Sequence, residues 1–252
     1  MTAVALLADV HGNLAALEAV LAEPEVRACD EVVFLGDAVM NGPWPAECLA
    51  LLRELGCRAV IGNTDLEVLA GADPVAAWAR ERLSPEELLF LARLPLTLRR
   101  APGGLDSAQA EGGTRDLLLM HASPRSSFDL PLLEPHPLGT TFTRACADGE
   151  LRAMFRGSHA GLGVFGHIHY ASWRGLGGQA LASVGSVGFP FDGDRRAAYA
   201  VATWRGGGWT LDHRRVAYDS EAVAREVAAC GLPFASRSAA MLRQARWLPR
   251  TG

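Results

Sequence analysis

Short apolar segments alternate with amphipathic segments in the first third of the chain. The apolar segments are too short for buried helices, whereas the segments between them repeat apolar residues at helical spacing. The sequence therefore predicts strands at Ala3–Ala8, Glu31–Leu35 and Arg58–Ile61, and helices at Leu14–Leu21 and Pro45–Leu55. Strands that alternate with helices indicate a parallel sheet, and such sheets bind ligands at the carboxyl ends of their strands.

The middle of the chain predicts further helices and one more strand. Two short helices are expected near 75–95, and Ser84-Pro85-Glu86-Glu87 gives the start signal of the second, with Ser as N-cap and Glu three residues later. The Gly-rich stretch Gly103–Gly113 predicts a hairpin or loop. A strand at Asp116–Met120 and a helix at Thr141–Phe155 are expected to follow.

From Gly163 onward the pattern changes to short strands joined by Gly-rich turns. The predicted elements are strands at Gly163–Phe165, Tyr170–Arg174, Gln179–Val184, Ala197–Trp204 and Trp209–Val216, and helices near Glu221–Ala229 and Ser238–Trp247. The run Arg205-Gly206-Gly207-Gly208 predicts a hairpin connection between the last two strands. Because no repeat or linker interrupts the pattern, residues 1–252 are expected to form a single domain.

Composition favours a packed domain without a membrane segment. Hydrophobic residues make up 49% of the chain and charged residues 21%, and no apolar run approaches the ~18 residues that span a bilayer. Met1–Asp9 lacks the basic start of a secretory signal. The five cysteines are odd in number and widely spaced, which argues against disulfides and a zinc ribbon. We therefore expect a cytoplasmic protein with no membrane partner.

The charged residues exclude two classes of function. A net charge of −4 argues against a stable nucleic-acid complex, because such complexes neutralise phosphates with basic residues. All 24 basic residues are Arg, and the chain has no Lys. Schiff-base catalysis and a Walker-type phosphate loop both need a lysine and are excluded.

Five short polar motifs directly follow predicted strands. They are Asp9-Val10-His11-Gly12-Asn13, Gly36-Asp37, Gly62-Asn63-Thr64-Asp65, His121, and Gly166-His167-Ile168-His169. Taken singly, each has a structural explanation: Gly-Asp and Gly-Asn are common turns, and His121 fits a core histidine. Together they bring imidazole, carboxylate and amide groups to strand ends, a ligand set that suits Mn, Fe, Ni or Zn, whereas Mg prefers oxygen ligands alone.

In this order the motifs resemble the signature of the calcineurin-like metallophosphoesterases. The resemblance covers about residues 1–220, and it is closest to small bacterial and archaeal members such as diadenosine tetraphosphatase-related and YfcE-like phosphoesterases. The runs Gly36–Cys48 and Ser183–Pro190 also resemble family sequence. Ser183 stands in place of the usual Asn, and Phe191 stands where members often carry Arg.

The resemblance implies an α/β fold, a four-layer αββα sandwich of two mixed β-sheets flanked by helices, with two divalent transition-metal ions at the sheet edges. By motif, one ion would bind Asp9, His11 and His169, the other would bind Asn63, His121 and His167, and Asp37 would bridge them. Asp37, Asn63 and His121 are then the candidate catalytic residues. The implied reaction is in-line attack of a metal-bridging hydroxide on the phosphorus of a small phosphorylated substrate, with nucleotides among the candidates.

The sequence departs from the family at the expected proton donor. Thr64 replaces a His that many members carry after Gly-Asn, and Met40 and Asn41 replace the Asp-Arg pair of the protein phosphatases. A threonine is no general acid near pH 7. Poor alkoxide leaving groups should suffer most, so we expect a phosphodiesterase, with phosphomonoesters as further substrates. His159 is one candidate for a replacement proton donor, and an ordinary surface or core histidine is the alternative.

Other assignments stay open at this point. Asn13, Thr64 and Arg125 are the candidate substrate contacts, the last because arginine binds phosphate through two parallel hydrogen bonds. Asp65 could orient a metal ligand or cap the helix after it. Three aromatic residues could wall a nucleobase pocket or pack in the core: Trp44, Trp78 and Phe90.

Two other functions compete with the phosphodiesterase hypothesis. The same metals could cleave the anhydride of a dinucleoside polyphosphate or another nucleotide. A metal-binding protein-interaction scaffold is a further alternative, because the fold also occurs in a retromer subunit. The sequence indicates no oligomeric state.

Overall fold

A computed structural model describes residues 2–71, 73–102, 115–139 and 144–249. Ten strands in this part of the chain form two five-stranded sheets. The first sheet comprises β1 (Thr2–Leu7), β2 (Glu31–Phe34), β3 (Arg58–Ala59), β9 (Ala197–Arg205) and β10 (Gly208–Val216). The second comprises β4 (Thr97–Arg100), β5 (Leu117–Met120), β6 (Leu162–Phe165), β7 (Ala171–Gly175) and β8 (Ala180–Val184).

The two sheets share one design, three parallel strands with antiparallel strands beside them. In the first sheet the order is β10-β9-β1-β2-β3, and β1, β2 and β3 are parallel. In the second the order is β4-β5-β6-β8-β7, and β5, β6 and β8 are parallel. Each sheet therefore has three carboxyl ends at one edge, where ligand-binding loops are expected.

Nine helices are described, and most belong to the first half and the end of the chain. They are α1 (Leu14–Ala22), α2 (Pro24–Arg27), α3 (Pro45–Glu54), α4 (Asn63–Ala70), α5 (Pro74–Arg80), α6 (Pro85–Ala92), α7 (Asp148–Met154), α8 (Ser220–Ala229) and α9 (Ala235–Gln244). No described helix has the length and apolar character needed to cross a membrane.

Alternation of side chains along the strands builds three apolar layers. Val4 and Leu6 of β1 face the second sheet, whereas Ala5 and Leu7 face the helices of the first sheet. The same alternation in β5 directs Leu118 away from the first sheet. Helices on the first sheet, the two sheets and α7 on the second sheet thus form the four layers, and the predicted sandwich of two mixed sheets is confirmed.

Element boundaries follow the predictions in most places. The last helix begins and ends three residues earlier than the predicted Ser238–Trp247, at Ala235–Gln244, so that Trp247 lies outside it. The predicted helix at Thr141–Phe155 was too long, because residues 144–147 are not helical and α7 begins only at Asp148. Glu150 accepts a hydrogen bond from the Ala147 backbone N–H, which fixes the helix start there. Thr141–Thr143 and the predicted loop at Gly103–Gly113 lie outside the described residues.

Candidate metal centre

The polar motifs meet where the parallel strands of both sheets end. Asp9, Asp37 and Asn63 follow β1, β2 and β3, while His121 and His167 follow β5 and β6. Hydrogen bonds join the two groups: the His167 N–H donates to Asp9 Oδ2 at 2.9 Å, and His121 Nδ1 lies 2.8 Å from the Leu35 carbonyl oxygen. The site therefore spans the junction between the sheets.

Five of these polar residues have left-handed backbone conformations. The φ angles are 57° at Asp9, 51° at His11, 64° at Asp37, 65° at His167 and 62° at His169. Positive φ is uncommon outside glycine, and such strain is concentrated at functional sites. The positive φ angles turn the backbone sharply beyond the strands, and the side chains around these turns converge on one point.

Two glycines beside the candidate ligands let the backbone lie close to the Asp9 and Asp37 carboxylates. A Cβ atom at Gly62 would lie 2.0 Å from Asp37 Oδ1, and one at Gly166 would lie 2.6 Å from Asp9 Oδ2. Any side chain at these two positions would displace the carboxylates. The Gly residues of the Gly-Asn and Gly-His motifs are therefore required by packing against the site.

Asp9, His11 and His169 form the first ligand cluster. The Nε2 atoms of His11 and His169 lie 3.1 Å apart, and Asp9 Oδ1 lies 3.5 Å from His169 Nε2. All three residues are buried, and Asp9 Oδ1 has no hydrogen-bond partner among the described residues. The cluster presents three ligand atoms to one small volume.

Asp9, Asp37 and His121 form a second cluster that shares the first carboxylate. Asp37 Oδ2 lies 3.5 Å from His121 Nε2 and 3.6 Å from His11 Nε2, so that it faces both clusters. Asn63 Oδ1 lies 2.9 Å from His121 Nε2. This position between the two clusters is the one a bridging ligand requires.

Backbone carbonyls fix the orientation of three imidazoles. Nδ1 of His11 lies 3.0 Å from the Met40 oxygen, and Nδ1 of His169 lies 2.5 Å from the Phe189 oxygen. Because a carbonyl oxygen only accepts, each Nδ1 must donate, and in the neutral ring Nε2 then carries a lone pair. The same holds for His121. All three lone pairs point into the centre.

Burial disfavours the charged forms of these imidazoles and carboxylates. It lowers the pKa of His169 to about 3 and the pKa of His11 well below its usual range. It also raises the pKa values of Asp9 and Asp37, and the charge of Asp37 raises that of Asp9 further. Neutral imidazoles and crowded carboxylates are an arrangement that a bound cation would stabilise.

Asp65 both caps α4 and holds the loop that carries Asp37, the two roles that the sequence left open. Its Oδ2 accepts the N–H groups of Asp37 at 2.8 Å and Gly62 at 3.0 Å, and its Oδ1 accepts that of Ala38 at 2.9 Å. The Gly62 contact caps α4, whereas the Asp37 contact holds the ligand-bearing turn. One buried carboxylate therefore fixes the loops after β2 and β3 relative to each other.

Two of the remaining metal-site and substrate candidates lie at the cavity above the centre. His167 lines this cavity, and its Nε2 has no hydrogen-bond partner within the described ranges. Thr64 also lines the cavity, and its backbone N–H donates to Asp37 Oδ1 at 2.9 Å. We call the seven candidate ligands the metal-ligand floor: Asp9, His11, Asp37, Asn63, His121, His167 and His169. All of them except Asp9 and His121 line the cavity.

The structure does not bring Asn13 or Arg125 to the cavity. Asn13 is fully buried, caps α1 and donates from Nδ2 to the Gly188 oxygen at 2.9 Å. Arg125 donates from Nη2 to the Ala153 oxygen at 2.5 Å and is not among the described residues that line the cavity. His159 is exposed and does not line it either.

Side chains distant in sequence form the upper part of the cavity. Trp44, Trp78 and Phe90, the aromatic candidates, belong to the core beside the first sheet. Five other residues, which we call the cavity rim, line the opening with Ile168 and Asn41: Leu130, Phe191, Arg237, Met241 and Trp247. Three of these come from α9 and the segment behind it. No sequence motif pointed to them, although the replacement of Arg by Phe191 was visible.

Comparisons with known proteins agree with the motifs and the fold. An uncharacterized protein of Methanocaldococcus jannaschii is 28% identical over 244 residues, which cover 91% of this chain and 93% of that protein. The structure of a metallophosphoesterase from Sphaerobacter thermophilus has a TM-score of 0.70 at 24% identity and covers 97% of this chain and 99% of its own.

A shorter match covers about a quarter of the chain. The symmetrical bis(5′-nucleosyl)-tetraphosphatase of Pectobacterium carotovorum is 41% identical over 68 residues, 26% of this chain and 24% of that enzyme. The family model for the calcineurin-like phosphoesterase superfamily domain matches residues 2–207. The resemblance seen in the motifs is thereby confirmed, and the chain belongs to the calcineurin-like phosphoesterase superfamily.

Proposed function

We propose that the protein is a metal-dependent phosphoric ester hydrolase that prefers phosphodiesters. One observation carries the proposal: lone pairs face lone pairs at the metal-ligand floor. His11 Nε2 and His169 Nε2 lie 3.1 Å apart, although the Nδ1 contacts leave both as acceptors. His121 Nε2, also an acceptor, lies 2.9 Å from the side-chain amide of Asn63. The contact between the two imidazoles is repulsive unless a cation lies between the facing nitrogens.

The floor residues divide between two ions. Asp9, His11 and His169 would hold the first ion. Asn63, His121 and His167 would hold the second, and Asp37 would contact both. Mixed imidazole, carboxylate and amide ligands favour Mn, Fe, Ni or Zn over Mg. When bound, the ions supply a nucleophile at neutral pH and neutralise charge on the phosphoryl oxygens.

Backbone and side-chain groups of the protein would orient the metal ligands and determine which substrates are favoured. Backbone carbonyls hold the imidazoles, and Asp65 holds the turn that carries Asp37. Thr64 occupies the cavity beside Asp37 without an ionisable proton. Since a general acid is worth about 10²- to 10⁴-fold, its absence disfavours poor alkoxide leaving groups most. Phosphodiesters with better leaving groups are therefore the favoured substrates.

The test compares two chromogenic substrates on protein with defined metal content. The protein is stripped with EDTA and refilled with Mn, Ni, Zn or Mg, and hydrolysis of bis-p-nitrophenyl phosphate and p-nitrophenyl phosphate is measured. We expect metal-dependent turnover with a higher kcat/KM for the diester. Equal or greater turnover of the monoester would contradict the preference. Protein that binds two ions and hydrolyses neither compound would favour the scaffold alternative.

A second candidate function is hydrolysis of a dinucleoside polyphosphate. The partial match to the bis(5′-nucleosyl)-tetraphosphatase favours it, as does the pair of aromatic residues, Phe191 and Trp247, at the rim. The metal-ligand floor suits an anhydride as well as a diester, because a phosphate leaving group needs little help from an acid. Diadenosine tetraphosphate as substrate, with product analysis by chromatography, separates the two functions.

A further inference from the structure

One side of the cavity is formed by a segment that the family match does not include. The match to the superfamily domain ends at residue 207. Arg237 and Met241 of α9 and Trp247 behind it lie beyond that point and line the cavity. The same cavity therefore combines a floor from the shared motifs with a wall from the C-terminal segment.

Hydrogen bonds hold this wall in place on both sides of Trp247. The chain reverses at Ala245, which has a φ of 45°, and the carbonyl of that residue accepts the Gly193 N–H at 3.0 Å. Arg237 Nε donates to the Leu248 oxygen at 2.7 Å. The backbone on both sides of Trp247 is therefore held before a ligand binds. A preorganised backbone lowers the entropy lost on binding.

A second aromatic ring lies at the same cavity. Phe191 stacks on His169, with ring centroids 4.3 Å apart and an interplanar angle of 10°. Phe191 and Trp247 are both partly exposed, so that each can still contact a ligand. Arg237 adds a positive charge, and it is the one Arg among the described lining residues. Its guanidinium carbon lies 5.8 Å from the Trp247 ring centroid.

We propose that Phe191, Arg237 and Trp247 form a subsite for the nucleobase of a nucleoside phosphate whose phosphate lies at the metal-ligand floor. The inference rests on the proposed function, because it requires a phosphate at the floor. Aromatic side chains and arginine bind bases of any sequence through their flat faces. The cavity has a volume of about 200 Å³, less than the roughly 300–1,000 Å³ of sites that enclose a whole drug-sized ligand, so a bound nucleoside phosphate would extend beyond its mouth.

The proposal predicts that the protein binds a phosphonate with a nucleobase more tightly than one without, and that this preference depends on Trp247. Stacking on one aromatic residue is worth about 5- to 150-fold in affinity. Calorimetry on Mn-loaded protein would compare methylphosphonate with the phosphonate analogue of adenosine monophosphate, in which carbon replaces the ester oxygen and no bond is cleaved. We expect the nucleoside analogue to bind at least 5-fold more tightly. Trp247→Ala should remove this ratio and leave methylphosphonate affinity unchanged.

Three variants control for indirect effects. Trp247→Phe keeps a flat ring and should retain most of the preference. Trp247→Leu fills the space without an aromatic face and serves if the alanine variant loses its fold. Trp173→Ala removes a tryptophan that is 45% exposed and does not line the cavity, so the ratio should not change.

The outcomes separate the inference from the function on which it rests. Equal affinity for the two phosphonates in the unmodified protein would overturn the inference alone, because the phosphate site would still bind. A ratio unchanged in both Trp247→Ala and Trp247→Leu would also overturn it. If protein with bound Mn binds neither phosphonates nor inorganic phosphate, the proposed function fails, and the inference fails with it.

Discussion

Five of the seven floor residues line the same cavity as the rim, but floor and rim are built by different means. Floor residues lie in the loops after strands or at the start of α4 and are mostly buried, and backbone hydrogen bonds hold five of their side chains. Rim residues come from three distant segments and are mostly part-exposed, as Phe191, Arg237 and Trp247 are. Under the proposed function, the floor would determine the reaction and the rim would select the substrate. Changes to the floor should therefore affect metal content and kcat, and changes to the rim should affect KM.

The largest effect is expected from Asp37→Asn. The carboxylate faces both ligand clusters, and the amide retains its shape but not its charge. We expect kcat to fall more than the 10- to 100-fold typical of outer-shell groups, together with loss of one bound ion by elemental analysis. Asp212→Asn removes an exposed carboxylate on β10 and serves as the control. Unchanged activity in Asp37→Asn with full metal content would contradict the proposed site.

Asp65→Ala should have the next largest effect, through the position of Asp37. Removal of the carboxylate frees three backbone N–H groups and should weaken metal affinity by about 10- to 100-fold. The matched control is Asp73→Ala, which removes the N-cap of α5 without touching the floor. Both variants should lose stability, about 1 kcal/mol for the cap, but only Asp65→Ala should lose metal. Equal metal affinity would show that Asp65 acts as a helix cap alone.

Thr64→His tests whether a proton donor at the cavity, between floor and rim, changes the substrate preference. It restores a proton donor beside Asp37, and we expect the ratio of phosphomonoester to phosphodiester turnover to rise. A gain of about 10-fold would be less than the 10²- to 10⁴-fold of an evolved acid. Thr64→Gln has comparable bulk and no acidic proton, so it should not change the ratio. A fall in both activities in the His variant, with metals bound, would contradict the role assigned to position 64.

Leu130→Ala is the rim counterpart of the floor variants. This side chain is 37% exposed at the cavity mouth, and its backbone carbonyl contacts remain after truncation. The loss of apolar contact should raise KM by a few fold, since a partly buried leucine contributes about 1 kcal/mol or less. Metal content and kcat should stay unchanged. A change in metal content would show that rim and floor are coupled.

The smallest effect concerns the pH dependence of the metal-free protein. Burial raises the pKa of Asp37 to about 7 and raises the pKa of Asp9 well above its usual range. The stability that protonated Asp37 contributes is present below the unfolded-state pKa of about 4 and is lost as pH rises to the folded-state value. Between about pH 4 and 7 the melting temperature should therefore fall relative to that of Asp37→Asn, which carries the same histidines, by about 2–4 °C per kcal/mol lost. Mn-loaded protein should show no such fall, because the ions favour the charged carboxylates.

Sequence patterns predicted the two sheets and the approximate position of the candidate site. They gave wrong predictions for one helix start and one substrate contact, where tertiary packing decides the outcome. Every parallel strand that carries a motif was predicted near its position. The helix predicted at Thr141–Phe155 was wrong at residues 144–147, because helical spacing cannot show where a cap begins the helix. Arg125 looked suitable for phosphate, but the fold directs it to the Ala153 carbonyl.

The sequence by itself predicted which side chains gather at the metal-ligand floor, because the motifs follow parallel strands that end at one edge of a sheet and resemble a family signature. The side-chain types of these candidate ligands can be read without a structure. Only the tertiary structure decided the rim, where Phe191 and Trp247 line one cavity although they lie 56 positions apart in the sequence. That arrangement depends on the packing of α9 and on the turn at Ala245. Such long-range packing leaves no periodic or motif-like trace in the chain.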